Sequence, residues 1–406
     1  MIPLAEARAL VLSQCTPRAP VAVVLDDALG CVSAGPVAAP EAVPPFANSA
    51  MDGYAVRAAD VTAATTDAPV MLDVVATLAA GVGATTTVGP GQAIRIMTGA
   101  PMPPGADAVV MVEHTEGSPE AMVVGVLEAV ASGRHVRSAG SDIASGQQVI
   151  AAGTLLRPAH LGVLASVGVR RPVVVPRPLL GVISTGDELV DDDGPLRAGQ
   201  IRESNRPTLV ALARSFGIDA IDLGTVPDDH DALRRALTFA AATCDAVATS
   251  GGVSMGDFDL VKVVLAELAD MSWMQVAIRP AKPFAFGVLA GTPVFGLPGN
   301  PVSSMVSLAL LAVPGLRRLA GRSDLDLPRV AAVAGPGLDR RPDGRTSYQR
   351  VACTWEHGRL RASPVAGQSS HHLAAAADAN ALAELPDGPG VAEGDDVTVV
   401  LLAPPT

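Results

Sequence analysis

From about residue 177 to residue 322, short apolar runs alternate with amphipathic helical patterns, and this constrains the fold more than any other feature of the sequence. Leu179–Ser184, Ile218–Leu223, Asp245–Thr249 and Thr292–Leu297 read as strands. The first predicted helix is capped by Asn205, with Pro207 in its first turn and Gly217 after its last. Asp231–Thr243 follows, with Leu233, Ala236, Leu237 and Ala240 on one face, then Asp257–Leu268 and Pro301–Leu311. Strands and helices joined by short connections form a mostly parallel sheet covered on both faces. Such sheets bind ligands outside the carboxyl ends of their strands, so the chemistry is to be sought in the loops there.

Four of those loops share a character. They are Ser184-Thr185-Gly186-Asp187-Glu188, the turn with Asp228 and Asp229, Ser250 through Asp259 (SGGVSMGDFD), and Gly296 through Ser304 (GLPGNPVSS). Glycine-rich turns and the N–H groups that open a helix suit phosphate or another oxyanion. Clustered Asp and Glu suit a hard divalent cation that also touches substrate phosphate. One such loop alone is an ordinary turn or helix cap. Four on one sheet edge imply a phosphate-bearing substrate with Mg²⁺. The chain has neither GxxxxGK[ST] nor GxGxxG, which argues against an ordinary NTPase or dehydrogenase.

Only two of the 29 cationic side chains are lysines, Lys262 and Lys282. Lys282 lies in Arg279-Pro280-Ala281-Lys282-Pro283, where the prolines stiffen the backbone and present Arg279 and Lys282 as an anion clamp. The competing reading is an edge strand with solvated cations. Lys262 can simply pair with Asp259 across one helical turn. The histidines have no metal-ligand spacing, and no Ser–His–Asp arrangement is evident.

The remaining sequence has other textures. A helix near Leu4–Val11 precedes a β-rich stretch over 44–142 containing VMLDVVATL, AIRIM and AVVMV, and Pro158–Val167 is a further helix closed by Gly168. From about 326 the pattern is that of a small β domain. The expected domains are 1–43 with 143–176, an inserted β-rich domain at 44–142, an α/β domain at 177–322, and a C-terminal β domain at 326–406. The formal charge of −12, with no basic cluster, argues against nucleic acid. The four scattered cysteines form no disulfide framework, the start lacks a signal-peptide pattern, and no apolar run is long enough to span a membrane. A cytoplasmic setting is expected.

Taken together, PPFANSAMDGYAV, RIMTGAPMPPGADAVV, AGSDI, STGDEL, ESNRPTL, TSGGVSMGDFDLVK, IRPAKPFAFG, GLPGNPVSS and GQSSHHLAAAADANAL resemble the molybdopterin molybdenumtransferases, the family of MoeA and the gephyrin E domain. The resemblance covers essentially the whole chain. It implies a multidomain fold: a central doubly wound α/β molybdopterin-binding domain, a β-rich inserted domain and a small C-terminal β-barrel-like domain. It also implies a homodimer that inserts molybdate into adenylylated molybdopterin, releases AMP and uses Mg²⁺. The active site would be shared between subunits, with transient contact to other cofactor-biosynthesis enzymes.

Residue by residue, the resemblance gives Asp52, Thr98, Asp142, Glu188, Asp228 and Asp259 catalytic roles, with Asp52 and Thr98 reaching across the dimer. Asp187, Glu188, Asp228 and Asp259 would hold the cation. Ser250, Gly251, Gly252 and Ser254 would hold the pterin or its phosphate. Arg279, Lys282 and Ser303 would hold molybdate in a loop shaped by Pro298, Asn300 and Pro301, with Arg350 and Ser370 completing the oxyanion site. Many members read KPGKP where this chain reads RPAKP, so Ala281 replaces a glycine that could adopt positive φ. The alternatives are a molybdopterin adenylyltransferase-like enzyme, which usually carries GGTG where this chain has GGVS, and a non-catalytic pterin- or oxyanion-binding paralogue or scaffold.

Overall fold

The computed structural model describes residues 1–118, 121–252 and 260–406. The chain divides into two compact units. The first comprises Met1–Val21, Gly30–Ala34 and Val173–Thr406, and the second Ala22–Leu29 and Gly35–Pro172.

At the centre of the first unit is a six-stranded sheet in the order Asp219–Val226, Leu179–Thr185, Ala246–Ser250, Thr292–Leu297, Pro283–Leu289, Asp270–Gln275. The first four strands are parallel, and the last two run antiparallel to their neighbours. The parallel core follows from continuous apolar runs: every residue of Ala246–Ser250 and of Thr292–Leu297 is buried. Helices Asn205–Ser215, His230–Thr243 and Leu260–Leu268 follow their strands as expected. The start of the helix expected at Asp257 lies outside the described residues.

Two local expectations are corrected. Asn205 is not the cap but the first residue of its helix, with Ser204 before it. The helix that begins at Pro301 does not stop at Leu311. Pro301–Ser307 passes into a wider turn at Leu308–Ala312 and continues as Val313–Leu319. Pro314 has no N–H for an ordinary helical bond and its ring crowds the preceding turn, so the widened turn lets the helix continue past it. This is the one described helix apolar and long enough to cross a membrane, and 89% of it is buried in the core. Its Gly315 meets the N-terminal helix Leu4–Gln14, where a Cβ would come within 2.8 Å of Val11 and 3.0 Å of Cys15.

The C-terminal strands of this unit close on themselves. Thr346–Glu356 pairs with Arg359–Pro364, then in turn come Arg329–Ala334, Asp396–Leu401 and Ala381–Leu385, which pairs back to Thr346–Glu356. The result is a five-stranded barrel, which removes free sheet edges. The short strand Ile278–Arg279 adds to it in parallel, opposite Thr346 and Ser347.

The second unit is built on a six-stranded sheet in the order Ala108–Met111, Gly53–Val56, Gln92–Ile96, Val70–Leu78, Val123–Val126, Thr115–Glu116. The expected strand VMLDVVATL is there as Val70–Leu78, and AVVMV as Ala108–Met111, one residue shorter. A Cβ on Gly53 would collide with the Val110 carbonyl, so close strand approach requires glycine. The helix expected from Pro158 is Pro158–Ser166, followed by Gly168 at φ +80°.

Candidate functional site

Register places the strand ends side by side. Ser184 lies opposite Ser250, and Ser250 opposite Leu297. The loops at Gly186–Glu188, Gly251–Gly252 and Pro298–Asn300 therefore emerge together. Gly251 N–H donates to Leu297 O at 3.1 Å, and a Cβ on Gly299 would lie 3.7 Å from Gly251 Cα. Gly251 and Gly252 have φ of +97° and +73°, and a Cβ on Gly252 would collide with Val261. Only glycine permits both the turn and the approach.

Asn205 fastens these loops. Its amide nitrogen donates to Ser250 Oγ at 2.9 Å and to the Gly299 carbonyl at 2.6 Å. Asn ahead of a helix usually signals a cap, and that local preference carries no sign of these long-range bonds.

On the acidic side, Asp228 N–H donates to Asp187 Oδ1 at 3.0 Å, so these two loops do meet. Asp229 is a helix cap, accepting from Ala232 N–H at 2.8 Å. Asp187, Glu188 and Asp228 are exposed. Among the described residues no three acidic, His or Cys side chains form a metal-holding group. Asp259 and Ser254 lie outside the described residues.

A cavity of about 800 Å³ opens where the barrel meets the α/β sheet, and it gathers Arg279, Lys282, Ser303 and Ser370. Val302 N–H donates to the Ser370 carbonyl at 3.1 Å, which ties the start of the Pro301 helix to the Ser370 loop. Ser304 Oγ donates to the Pro298 carbonyl and fixes the turn before it. Lys282 makes no ion pair among the described residues, whereas Arg279 Nη1 lies 3.6 Å from Asp343 Oδ2.

Arg350 does not line this cavity. It is 1% exposed and donates through Nη2 to the Gly367 and Ser369 carbonyls, so it braces the serine loop from behind. Burial lowers its pKa. Ala281, in the same rigid loop as Lys282, has φ +73° and is 3% exposed.

Sequence reasoning missed the arginines of the segment DRRPDGR that share the cavity wall: Arg340, Arg341 and Arg345. Asp343 lies among them, 2.7 Å from Arg340 Nη2 and hydrogen-bonded to Arg345. The Arg345 hydrogen bond, with the charges of Arg345, Arg340 and Arg279, holds the Asp343 carboxyl below its usual range. A run of arginine and aspartate in a lysine-poor chain was the available signal.

In the second unit, Asp52 precedes the strand Gly53–Val56, and Thr98 follows the antiparallel strand Gln92–Ile96. Both therefore fall at one sheet end. Asp52 Oδ1 accepts from Thr98 N–H at 2.7 Å and from Thr98 Oγ1 at 2.9 Å. Backbone hydrogen bonds join the PPFANSAMDG and RIMTGAP segments: Gly99 N–H donates to Ser49 O at 2.8 Å, and Ser49 N–H to Ala100 O at 3.0 Å. Asp142 is exposed, its N–H donating to Val43 O at 3.0 Å, with no bond to Asp52 or Thr98 among the described residues.

The fold and these loops define a class: an α/β core whose strand-end loops suit an oxyanion-bearing ligand, carrying a β-barrel, together with a second, β-rich unit. The chain matches three family models in succession. These are the MoeA N-terminal region (domain I and II) over residues 2–168, a probable molybdopterin binding domain over 181–318, and the MoeA C-terminal region (domain IV) over 339–402. It is 39% identical over 375 residues to molybdopterin molybdenumtransferase 2 of Mycobacterium tuberculosis (strain CDC 1551 / Oshkosh), covering 91% of each chain. It is 35% identical to molybdopterin molybdenumtransferase of Haemophilus influenzae over 98% of each. A crystal structure of the molybdopterin biosynthesis MoeA protein from Pyrococcus horikosii superposes with a TM-score of 0.80 at 31% identity, covering all of both chains. The chain belongs to the MoeA family of molybdopterin molybdenumtransferases, enzymes of molybdenum cofactor biosynthesis.

Proposed function

We propose that this chain inserts molybdate into adenylylated molybdopterin and releases AMP. The observation that carries this reading is the cavity shared by Arg279, Lys282, Ser303 and Ser370. Molybdate is a small tetrahedral dianion, and charge-assisted donors on a stiff loop suit it. Lys282 is the unspent cation of that loop, and Ser303 and Ser370 supply hydroxyls. The pterin substrate would lie along the strand-end loops, with Ser250, Gly251, Gly252 and Ser254 against it and Pro298, Asn300 and Pro301 shaping the far side.

The exposed carboxylates Asp187, Glu188 and Asp228 are hard oxygen donors, a chemistry that fits Mg²⁺, which binds through one or two carboxylates plus substrate phosphate and needs no all-protein cage. Asp259 would join them. When bound, the ion would supply positive charge to the phosphoanhydride oxygens. The chain's own part is positioning and electrostatics, with no covalent nucleophile.

The reading includes the four expected domains, a homodimer in which Asp52 and Thr98 of one subunit complete the site of the other, a catalytic part for Asp142, a cytoplasmic setting and transient contact with other cofactor-biosynthesis enzymes.

The test is AMP release from purified protein given adenylylated molybdopterin, with and without molybdate and Mg²⁺. Release that needs both, with cofactor formed, supports the transferase. Tight pterin binding without release under any oxyanion would reject it in favour of a binding paralogue.

A further inference from the structure

The cavity is larger than one oxyanion needs. At about 800 Å³ it falls within the range of about 300–1,000 Å³ that holds whole organic ligands. Its cations also fall into two groups. Lys282 makes no ion pair among the described residues and lines the cavity with Ser303 and Ser370, whose segments the Val302–Ser370 hydrogen bond ties together. The arginines Arg340, Arg345 and Arg279 instead pair with one carboxylate, Asp343.

Charge accounting singles out one residue there. Arg340 is committed: its guanidinium donates to the Arg345 and Leu385 carbonyls at 2.6 and 3.0 Å and to Asp387 at 3.1 Å, as well as to Asp343. Arg345 donates to Asp343 through both Nε and Nη2. The turn between them is pinned, with Arg340 N–H on Pro389 O and Asp343 N–H on Asp387 Oδ1, each at 2.9 Å. Arg341, exposed on that pinned turn, has no ion pair among the described residues. Asp339, Asp343 and Asp387 oppose five cations around the cavity, so the wall stays positive. A planar guanidinium held by a rigid turn in a positive wall is suited to bidentate recognition of phosphate.

We propose that Arg341, with the Asp343-centred arginines behind it, is a phosphoryl-binding subsite separate from the oxyanion position at Lys282, Ser303 and Ser370. The cavity then holds an organic phosphate and a tetrahedral oxyanion at the same time. The inference rests on the transferase reading and names a contact for its phosphate-bearing substrate.

The experiment is calorimetric titration of the full chain with AMP, with molybdopterin and with molybdate, comparing wild type, Arg341→Ala and Lys282→Ala. In Arg341→Ala a phosphate-bearing ligand weakens about tenfold or more, the loss of one charge-assisted hydrogen-bonding group, while molybdate binding stays unchanged. Lys282→Ala shows the reverse. A loss for AMP assigns the subsite to the nucleotide phosphate, and a loss for molybdopterin alone assigns it to the pterin phosphate. Unchanged affinity for both, or molybdate displaced in direct competition by AMP, overturns the subsite and leaves the transferase reading standing. Absence of AMP release from adenylylated molybdopterin, with the Arg341 effect intact, rejects the transferase reading and leaves the subsite.

Discussion

Thr98 holds Asp52 with two donors on one oxygen, its backbone N–H at 2.7 Å and its hydroxyl at 2.9 Å. The N–H first, and then the hydroxyl, keep the Asp52 carboxyl below its ordinary range. A depressed pKa means that this contact stabilises the fold above the unfolded pKa and is lost as pH falls through the folded one. Thr98→Val removes the hydroxyl and keeps the N–H, so the Asp52 pKa should move part of the way back up. Carboxyl chemical shifts followed against pH measure this directly. If Asp52 is catalytic, the acid limb of the activity profile rises with it, and a profile that stays fixed while the pKa moves would remove Asp52 from the reaction.

The shared-site reading makes a separate prediction. Asp52→Ala and Lys282→Ala proteins should each be inactive or severely impaired at low molybdate. Mixed under conditions of subunit exchange, they should regain part of the activity, because one site of the mixed dimer has both side chains. Exchange confirmed by a tagged subunit, with no recovery, would place both residues in the same subunit's site or outside it.

Asn205 joins loops that follow two different strands, through Ser250 Oγ and the Gly299 carbonyl. Asn205→Ala leaves both partners without that donor, at a cost of roughly 1–3 kcal/mol in a partly buried site. Urea unfolding should show the loss, and molybdopterin binding should weaken as the Gly251 and Pro298 turns come apart. Wild-type pterin affinity in a destabilised variant would show that Asn205 serves the fold alone.

All four cysteines are buried as free thiols. Burial pushes the Cys15 thiol up to about 12 and the Cys353 thiol up to about 11. Little thiolate exists near neutral pH, so the native protein should resist alkylation at both positions until denaturant is added. Mass spectrometry after iodoacetamide treatment reads this out, and rapid native labelling of Cys15 would contradict its packing against the helix that carries Gly315.

The parallel sheet was legible because its strands are apolar on both faces and the loops at their ends carry glycine, carboxylate or helix-opening residues. Arg279, Lys282, Ser303 and Ser370 were recognisable from the family motifs, and the structure brings them to one cavity. Arg341 and Arg345 were not, because their place on the cavity wall depends on a barrel closing beside the Ile278–Arg279 strand, a pairing of residues far apart in the chain. Asn205 was misread for a related reason: local capping preference gives no view of Gly299, 94 residues away. The π-type turn at Leu308–Ala312 escaped because Pro314 argues for a helix end and only tertiary burial carries the helix through it.

Ala281 is the residue where this chain departs from the KPGKP pattern, and its backbone keeps the conformation that a glycine there would favour, at φ +73°. A Cβ in that left-handed region costs about 1–2 kcal/mol. Glycine would relieve it, although its larger loss of freedom on folding returns roughly 0.5–1 kcal/mol. The buried methyl it removes is worth about 0.8 kcal/mol more, so Ala281→Gly should leave the urea midpoint nearly unchanged. The same strain bears on function, because Ala281 lies between Arg279 and Lys282 and fixes how both face the cavity. Freed at 281, the loop should present Lys282 less rigidly, so the variant should need more molybdate for half-maximal AMP release at nearly unchanged stability. If molybdate dependence does not move, the positive φ at 281 is tolerated strain and the stiff clamp is set by Pro280 and Pro283 alone.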